Sequence, residues 1–183
     1  MTAMSEGVKV MRQEIERKFL VRGDGWRGAA TRVLCRQGYL LTGTDCTVRV
    51  RVLGDEGFLT IKGRADGLAR TEYEYPIPVA DAHHLLDWEC ARPFIEKYRH
   101  CVMFAGRRWE IDEFLGENAG LIVAEIELES ADQAFESPDW VGQEVSDDPR
   151  YCNSNLGRDP YCRWGAVVPC AAVPAAAQAG NGV

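Results

Sequence analysis

Charged residues at every second position, sorted by sign from one segment to the next, constrain this chain more than any other feature. In QEIERKFL (Gln13 to Leu20), Glu14, Glu16 and Lys18 fall on one side of an extended chain; Ile15, Arg17 and Phe19 fall on the other. A strand turns successive side chains to opposite faces, so the pattern specifies one charged face and one largely apolar face. The same alternation recurs. TVRVRVL opposes Val48, Val50 and Val52 to Arg49 and Arg51, and FLTIKGR opposes Leu59 and Ile61 to Thr60, Lys62 and Arg64. RTEYEYPI opposes Tyr73 and Tyr75 to Arg70, Glu72 and Glu74. FIEKYRH puts Lys97 and Arg99 on one face, and RRWEIDEF opposes Trp109 and Ile111 to Glu110 and Asp112. VAEIELES opposes Ala124, Ile126 and Leu128 to Glu125, Glu127 and Glu129. Turn-like stretches such as LGDEG, GRADG and LGENAG separate the segments.

A single strand of this kind is ordinarily half-buried, with its charges in water. Many such strands in one chain call for more. A solvent face mixes Lys, Glu, Thr, Ser, Gln and Asn. Here the polar positions are nearly all charged, with acids on the ERKF strand (except Lys18), the WEIDEF strand and the EIELE strand, and bases on RVRV, TIKGR and EKYR. Closing the sheet into a barrel with the charged face inward accounts for that sorting. Apolar residues then pack outward against helices, and carboxylates oppose cations across the lumen. Carboxylate oxygens suit Mg²⁺ or Mn²⁺, and Arg and Lys suit phosphate oxygens. Together they suit a metal-bound polyanion.

The formal net charge of -7 and pI near 5.1 exclude a general nucleic-acid binder, which carries a basic footprint. No run approaches the ~20 apolar residues of a membrane helix. An outer-membrane barrel shares the apolar outside and polar lumen. The absence of an apolar leader in MTAMSEGVKVMRQE, the cysteines and a helix expected at 78–91 speak against it. The seven cysteines are scattered with no CxxC pair, which reads as free thiols in a reducing cytoplasm rather than disulfides or a zinc site.

Three regions follow: a flexible lead-in (1–11), a single domain (12–164) and a disordered Ala/Gly/Pro-rich tail (165–183). Helices are expected over 78–91, briefly over 131–135, and over DDPRYCNSNLG, where Asp148 caps, Pro149 suits the first turn and Gly157 ends the helix. A helix is also expected around 26–36.

EIERK (Glu14 to Lys18) resembles the ExExK signature of the CYTH superfamily, the triphosphate tunnel metalloenzymes. QGYL (37–40), RVR (49–51), TIKG (60–63), RTEYEY (70–75), IEKYR (95–99), WEID (109–112), AEIELE (124–129) and YxNxxL (151–156) follow in order. The likeness spans Gln13 to about Trp164 and is greatest to short bacterial inorganic triphosphatases. It implies a mainly β fold with flanking helices, an eight-stranded antiparallel barrel around a tunnel. It also implies hydrolysis of the terminal phosphoanhydride of a triphosphate with Mg²⁺ or Mn²⁺. On the matching positions, Glu14, Glu16, Asp112, Glu125 and Glu127 correspond to metal ligands. Arg49, Arg51, Lys62, Lys97 and Arg99 correspond to the triphosphate clamp, with Lys18, Arg64 and Arg70 as further cations. Lys18 and Tyr39 are candidate catalytic residues, and Glu72, Glu74 and Glu110 are further acids of less defined role. Arg64 stands where relatives often carry lysine, and the two are not equivalent at phosphate.

Alternatives remain at this point: a class IV adenylate cyclase, a thiamine or nucleoside triphosphatase, or a non-catalytic triphosphate-binding module. The expected partner is a small triphosphate, with no nucleic acid and no membrane; a homodimer is left open. Bland readings hold for several residues. His83 and His84 belong to a surface helix face, and His100 faces away from the lumen. Tyr73, Tyr75 and Trp109 pack outward, Glu129 lies at a strand end, and Lys18 has an ordinary ion pair as its structural alternative.

Overall fold

The computed structural model describes residues 13–165, so the expected lead-in, and the expected tail apart from Gly165, lie outside the described residues. Nine strands run in the order β1 (Glu14–Val21), β2 (Thr31–Thr42), β3 (Cys46–Leu53), β4 (Glu56–Asp66), β5 (Ala69–Ile77), β6 (Ala91–Phe104), β7 (Arg107–Phe114), β8 (Ile122–Glu127) and β9 (Val141–Glu144). Their hydrogen-bonded order is β5-β4-β3-β2-β6-β7-β8-β1, all antiparallel. The pairs Glu14–Arg70 and Ile15–Ala69 join β1 back to β5 and close an eight-stranded barrel. β9 lies outside that cycle, against the Phe19–Val21 end of β1.

The alternation explains the closure. Residues of one parity converge on the lumen, and the apolar core lies outside the barrel wall. Ile15, Phe19, Trp109, Ile111, Ala124 and Ile126 face outward on neighbouring strands and are covered by Trp26, Phe135 and Trp140. Helix α1 (Val79–Trp88) covers Val50 and Val52 with Ala82 and Leu86. His83 and His84 sit on its exposed face.

One end of the lumen is different. Ile95, Phe114 and Val123 continue the inward parity of Lys97, Asp112 and Glu125, and they form an apolar cluster with Leu156. Leu156 belongs to a short helix α2 (Asn153–Leu156), so the C-terminal segment plugs this end of the barrel. Asp148 accepts from the Arg150 backbone N–H at 3.0 Å and caps the turn before it. Arg158 ties the segment to the Thr42 carbonyl at 3.0 Å.

Two helix expectations fail. Residues 26–36 form only a 3-10 turn (Arg27–Ala29) and then β2, because Thr31 to Gln37 pair with β6 and Cys35 to Gln37 also pair with β3. Pairing on both edges outweighs a weak local preference. Residues 131–135 make no helix; Phe135 instead packs edge-on against Trp109, 5.7 Å between ring centres. The short strand β9 carries no alternation long enough to be read from sequence.

Gly57 lies where α1 rests on β4. A Cβ there would sit 2.9 Å from both Ala82 Cβ and the Ile77 carbonyl. Gly57→Ala is expected to destabilise the fold by about 1–3 kcal/mol, since overpacking against backbone forces a shift. Urea denaturation checks this, and an unchanged midpoint would contradict it.

Candidate functional site

A cavity of about 680 Å³ occupies the charged part of the lumen. Its wall brings seven cations (Lys18, Arg49, Arg51, Lys62, Arg70, Arg99, Arg108) against eight carboxylates (Glu14, Glu16, Glu56, Glu72, Glu74, Glu110, Glu125, Glu127). Every barrel strand except β2 supplies charged residues to it, and antiparallel register sets Lys18 opposite Glu125, Lys62 opposite Glu72 and Arg99 opposite Asp112.

Lys18 is buried and bonded to Glu16 and to Glu125. Arg99 grips Asp112 through two bonds of 2.8 Å and reaches Glu125 at 3.0 Å and Glu110. Lys97 pairs with Asp112, which is fully buried. Lys62 and Arg70 converge on Glu14 at 2.7 and 2.9 Å. Arg51 holds Glu74 at 2.9 Å, and Arg49 lies 3.7 Å from Glu72. The wall is thus one continuous network of alternating charge.

That network fixes the protonation states. Burial alone would raise the Glu14 carboxyl, but Lys62 and Arg70 pull it down to about 2. Burial is likewise overcome at Glu125 by Lys18 and Arg99, and at Asp112 by Arg99 and Lys97; both carboxyls lie below their ordinary values. Glu72 moves the other way: burial raises it, and the neighbouring Glu14 charge adds to the rise. Burial lowers Lys62 and Arg51, each with Arg49 as the next cause, and pushes the Tyr39 hydroxyl up to about 12.

The predicted site residues divide by placement. Glu14, Glu16, Lys18, Tyr39, Arg49, Arg51, Lys62, Arg70, Glu72, Glu74, Arg99, Glu110, Glu125 and Glu127 all line the cavity. Lys97 and Asp112 lie behind the wall as a buried pair. Arg64 does not join them. The β4–β5 register shifts between Lys62 and Ala65, and this irregularity ends the alternation that placed Arg64 inward, leaving it exposed. Tyr39 shares the cavity wall with Lys18, but its hydroxyl accepts from the Gln37 side chain at 3.2 Å. Glu129 lies beyond β8 and is exposed. His100 packs on Trp26 outside the wall, 4.7 Å between ring centres.

Thr47, Leu53, Phe58, Pro76, Cys152, Asn153 and Ser154 also line the cavity and were not singled out as site residues. Thr47 and Leu53 share the parity of Arg49 and Arg51, so alternation alone could have found them. The signal for Asn153 was the YxNxxL motif, but its contact with the lumen depends on the fold of the C-terminal segment.

The donor set fits a hard dication in its chemistry, since every candidate ligand is a carboxylate oxygen. Glu16 and Glu127 are cross-strand partners, an arrangement of like charges that costs stability unless something neutralises it. Among the described residues no three acidic, His or Cys side chains converge as a preformed metal cage. Glu14, Glu16, Glu72, Glu74, Glu110 and Glu125 are engaged instead with the wall's cations.

The CYTH domain family model matches residues 12–152. An inorganic triphosphatase of Acetivibrio thermocellus is 53% identical over 82% of this chain and 97% of its own length. One of Nitrosomonas europaea is 42% identical over 78% and 95% respectively. A crystal structure of an inorganic triphosphatase superposes with a TM-score of 0.57 at 39% identity, covering 79% of this chain and 93% of that one. A protein of Pyrococcus horikoshii shares the fold at 19% identity, with a TM-score of 0.51 and coverage of 64% of this chain and 79% of that one.

The depressed carboxyls predict a direction for acid stability. A carboxyl whose folded pKa is lowered stabilises the fold above its unfolded value, and that contribution is lost as pH falls through the folded value. For Glu14 the window runs from 4.5 down to about 2. Glu125 and Asp112 act in the same sense, and the raised Glu72 opposes them. The urea midpoint is expected to fall as pH drops through that window; a midpoint at about pH 3 equal to that near neutrality would contradict the network.

Proposed function

Because this chain belongs to the CYTH family, we propose that it is a phosphoanhydride hydrolase that releases the terminal phosphate of inorganic tripolyphosphate with a divalent cation, Mg²⁺ or Mn²⁺. The observation that carries this reading is the two-signed wall of the cavity. A lumen of alternating fixed charge suits a ligand that brings both signs, and a polyphosphate with a dication is such a ligand. The curated relatives called inorganic triphosphatases support the substrate.

On this reading Arg49, Arg51, Lys62, Arg70 and Arg99 bind phosphate oxygens. The Nε atoms of Arg49 and Arg51 are buried without a partner, so a turn of either guanidinium toward an anion gains hydrogen bonds. Glu14, Glu16, Glu125 and Glu127 would hold the metal, which when bound polarises the phosphoryl group and neutralises developing charge. Lys18, held between Glu16 and Glu125, orients those two carboxylates and favours the ionised form of Glu125. Tyr39, with its hydroxyl protonated at neutral pH, serves as a donor rather than a base. The β barrel aligns the chain of phosphates along one axis, which is the positioning that phosphoryl transfer chiefly requires.

A second reading has one observation in its favour. Leu53, Phe58 and Pro76 add an apolar ledge to the wall beside Arg51, whose guanidinium stands 5.2 Å from the Phe58 ring centre. An organic group carried by a nucleoside triphosphate fits there. Inorganic tripolyphosphate is nonetheless expected to have the higher kcat/KM, because the rest of the wall is dominated by charged groups. Phosphate release from both substrates measures the ratio, and a value below one would transfer the function to organic triphosphates.

Hydrolysis is expected to stop in excess chelator and return on adding Mg²⁺ or Mn²⁺. Arg51→Ala is expected to lower kcat/KM by roughly 30-fold or more, equivalent to ~2 kcal/mol lost with a buried charged contact. The same measurement on Asp81→Ala, an exposed position on α1, is the control. Equal losses would remove Arg51 from the site.

A further inference from the structure

Lys97 matches the clamp motif, yet it is 1% exposed and does not line the cavity. Its ammonium is held by Asp112 and lies 5.2 Å from the Phe114 ring centre, at the border between the apolar plug and the charged lumen. Asn153 links Lys97 to the cavity. Its carboxamide oxygen accepts from Lys97 Nζ at 3.2 Å, and the residue itself lines the cavity wall.

We propose that Asn153 is a substrate-binding residue whose amide N–H₂ donates to a phosphate oxygen in the lumen. The contact with Lys97 determines which end of the amide is free. An ammonium has three donors and no acceptor, so only the carboxamide oxygen can face it. The nitrogen, with its two N–H donors, is left for the cavity side. A neutral donor locked in orientation by a buried cation adds a directed hydrogen bond to an anionic ligand, and such bonds to charged acceptors are stronger than neutral ones.

The segment that carries Asn153 is held firmly. Leu156, three residues on, is fully buried in the plug, and its carbonyl accepts from Asn118 at 3.4 Å. Asn155 donates to the Pro149 carbonyl at 2.6 Å. A binding group on a rigidly packed element keeps its geometry without a further ordering cost. The C-terminal segment therefore both plugs the barrel and contributes to the ligand's binding wall, and the buried Lys97–Asp112 pair acts on the ligand through Asn153.

This inference rests on the proposed tripolyphosphate hydrolysis, and two variants separate the two ideas. Asn153→Asp keeps an oxygen for Lys97 but replaces the donor with a negative charge. Asn153→Ala removes both. If Asn153 binds phosphate, Asn153→Ala raises the KM for tripolyphosphate by about tenfold or more, with kcat changed less than KM, and Asn153→Asp, which adds repulsion to the lost donor, raises it further. The melting temperature of the Asp variant stays at or above that of the wild type, because the bond to Lys97 becomes an ion pair. If Asn153 only supports Lys97, Asn153→Ala lowers the melting temperature and keeps the wild-type KM, and only the Asp variant, by repulsion from the cavity wall, raises it. A wild-type KM for Asn153→Ala in an active protein overturns the inference alone. A wild-type protein that releases no phosphate from tripolyphosphate overturns the proposed function, and this inference with it.

Discussion

Everything in this barrel depends on the charge network that closes around Asp112, Arg99 and Glu125. Taking ionised groups out of water is expensive, and the cost is offset only where geometry is good and the remaining donors find acceptors. Arg99 meets both conditions, with two bonds of 2.8 Å to Asp112 and one of 3.0 Å to Glu125. Lys97 takes the second side of Asp112, and Lys18 the second oxygen of Glu125. From Lys18 the chain of contacts runs through Glu16 to Arg70 and Glu14, then through Lys62 and Glu72 to Arg49. No member can be removed without leaving a buried charge with reduced compensation. The network therefore specifies the register of seven strands as much as it prepares a binding site.

Hydrophobic stabilisation has to come from the other side of the wall. The residues that alternate with the charges, among them Ile15, Val50, Trp109 and Ile126, are covered by α1 and by loops carrying Trp26, Phe135 and Trp140. An eight-stranded barrel has an interior just wide enough for side chains to fill. Here apolar residues fill one end and charged ones the rest, so the fold has an apolar shell around a polar lumen. Arg17 shows how strictly the outer face is kept apolar. Its guanidinium lies over the Phe135 ring, 5.2 Å from its centre, while its tip pairs with Glu144.

The barrel was legible in the sequence because a period of two leaves little freedom once one face is charged and the other apolar. Glu14, Arg49, Lys62 and Glu125 reach the lumen by parity alone. Parity fails wherever the ladder slips, which is why Arg64 was misplaced: the irregularity after Lys62 is marked in TIKGRAD only by Gly63, a glycine inside the strand. It fails also for β2, whose inward residues Cys35 and Gln37 are uncharged and gave no alternating signal. The apolar plug was hidden for a related reason. Ile95, Phe114 and Val123 continue charged inward faces with apolar side chains, and their partner Leu156 lies far along the chain. Asn153 reaches the lumen only through that long-range packing.

The network also bears on how a ligand would enter. The wall's carboxylates are already engaged with its cations, so a bare polyanion must displace the carboxylates of Glu14, Glu72 or Glu74 to reach Lys62 or Arg51. The displaced carboxylates would stay buried with less compensation, since Lys62 and Arg70 are what hold the Glu14 carboxyl down against its burial, and that penalty opposes binding. A dication alone meets the converse obstacle, because taking a carboxylate strands a lysine or arginine. On the proposed reading, each partner compensates the groups the other releases. Cations exchange carboxylate for phosphate as carboxylates exchange cation for metal. Binding of the two is then linked, and linkage is reciprocal: whatever factor the metal adds to triphosphate affinity, triphosphate adds to metal affinity. The ion pairs that hold the barrel together without ligand thus set the terms on which it accepts one.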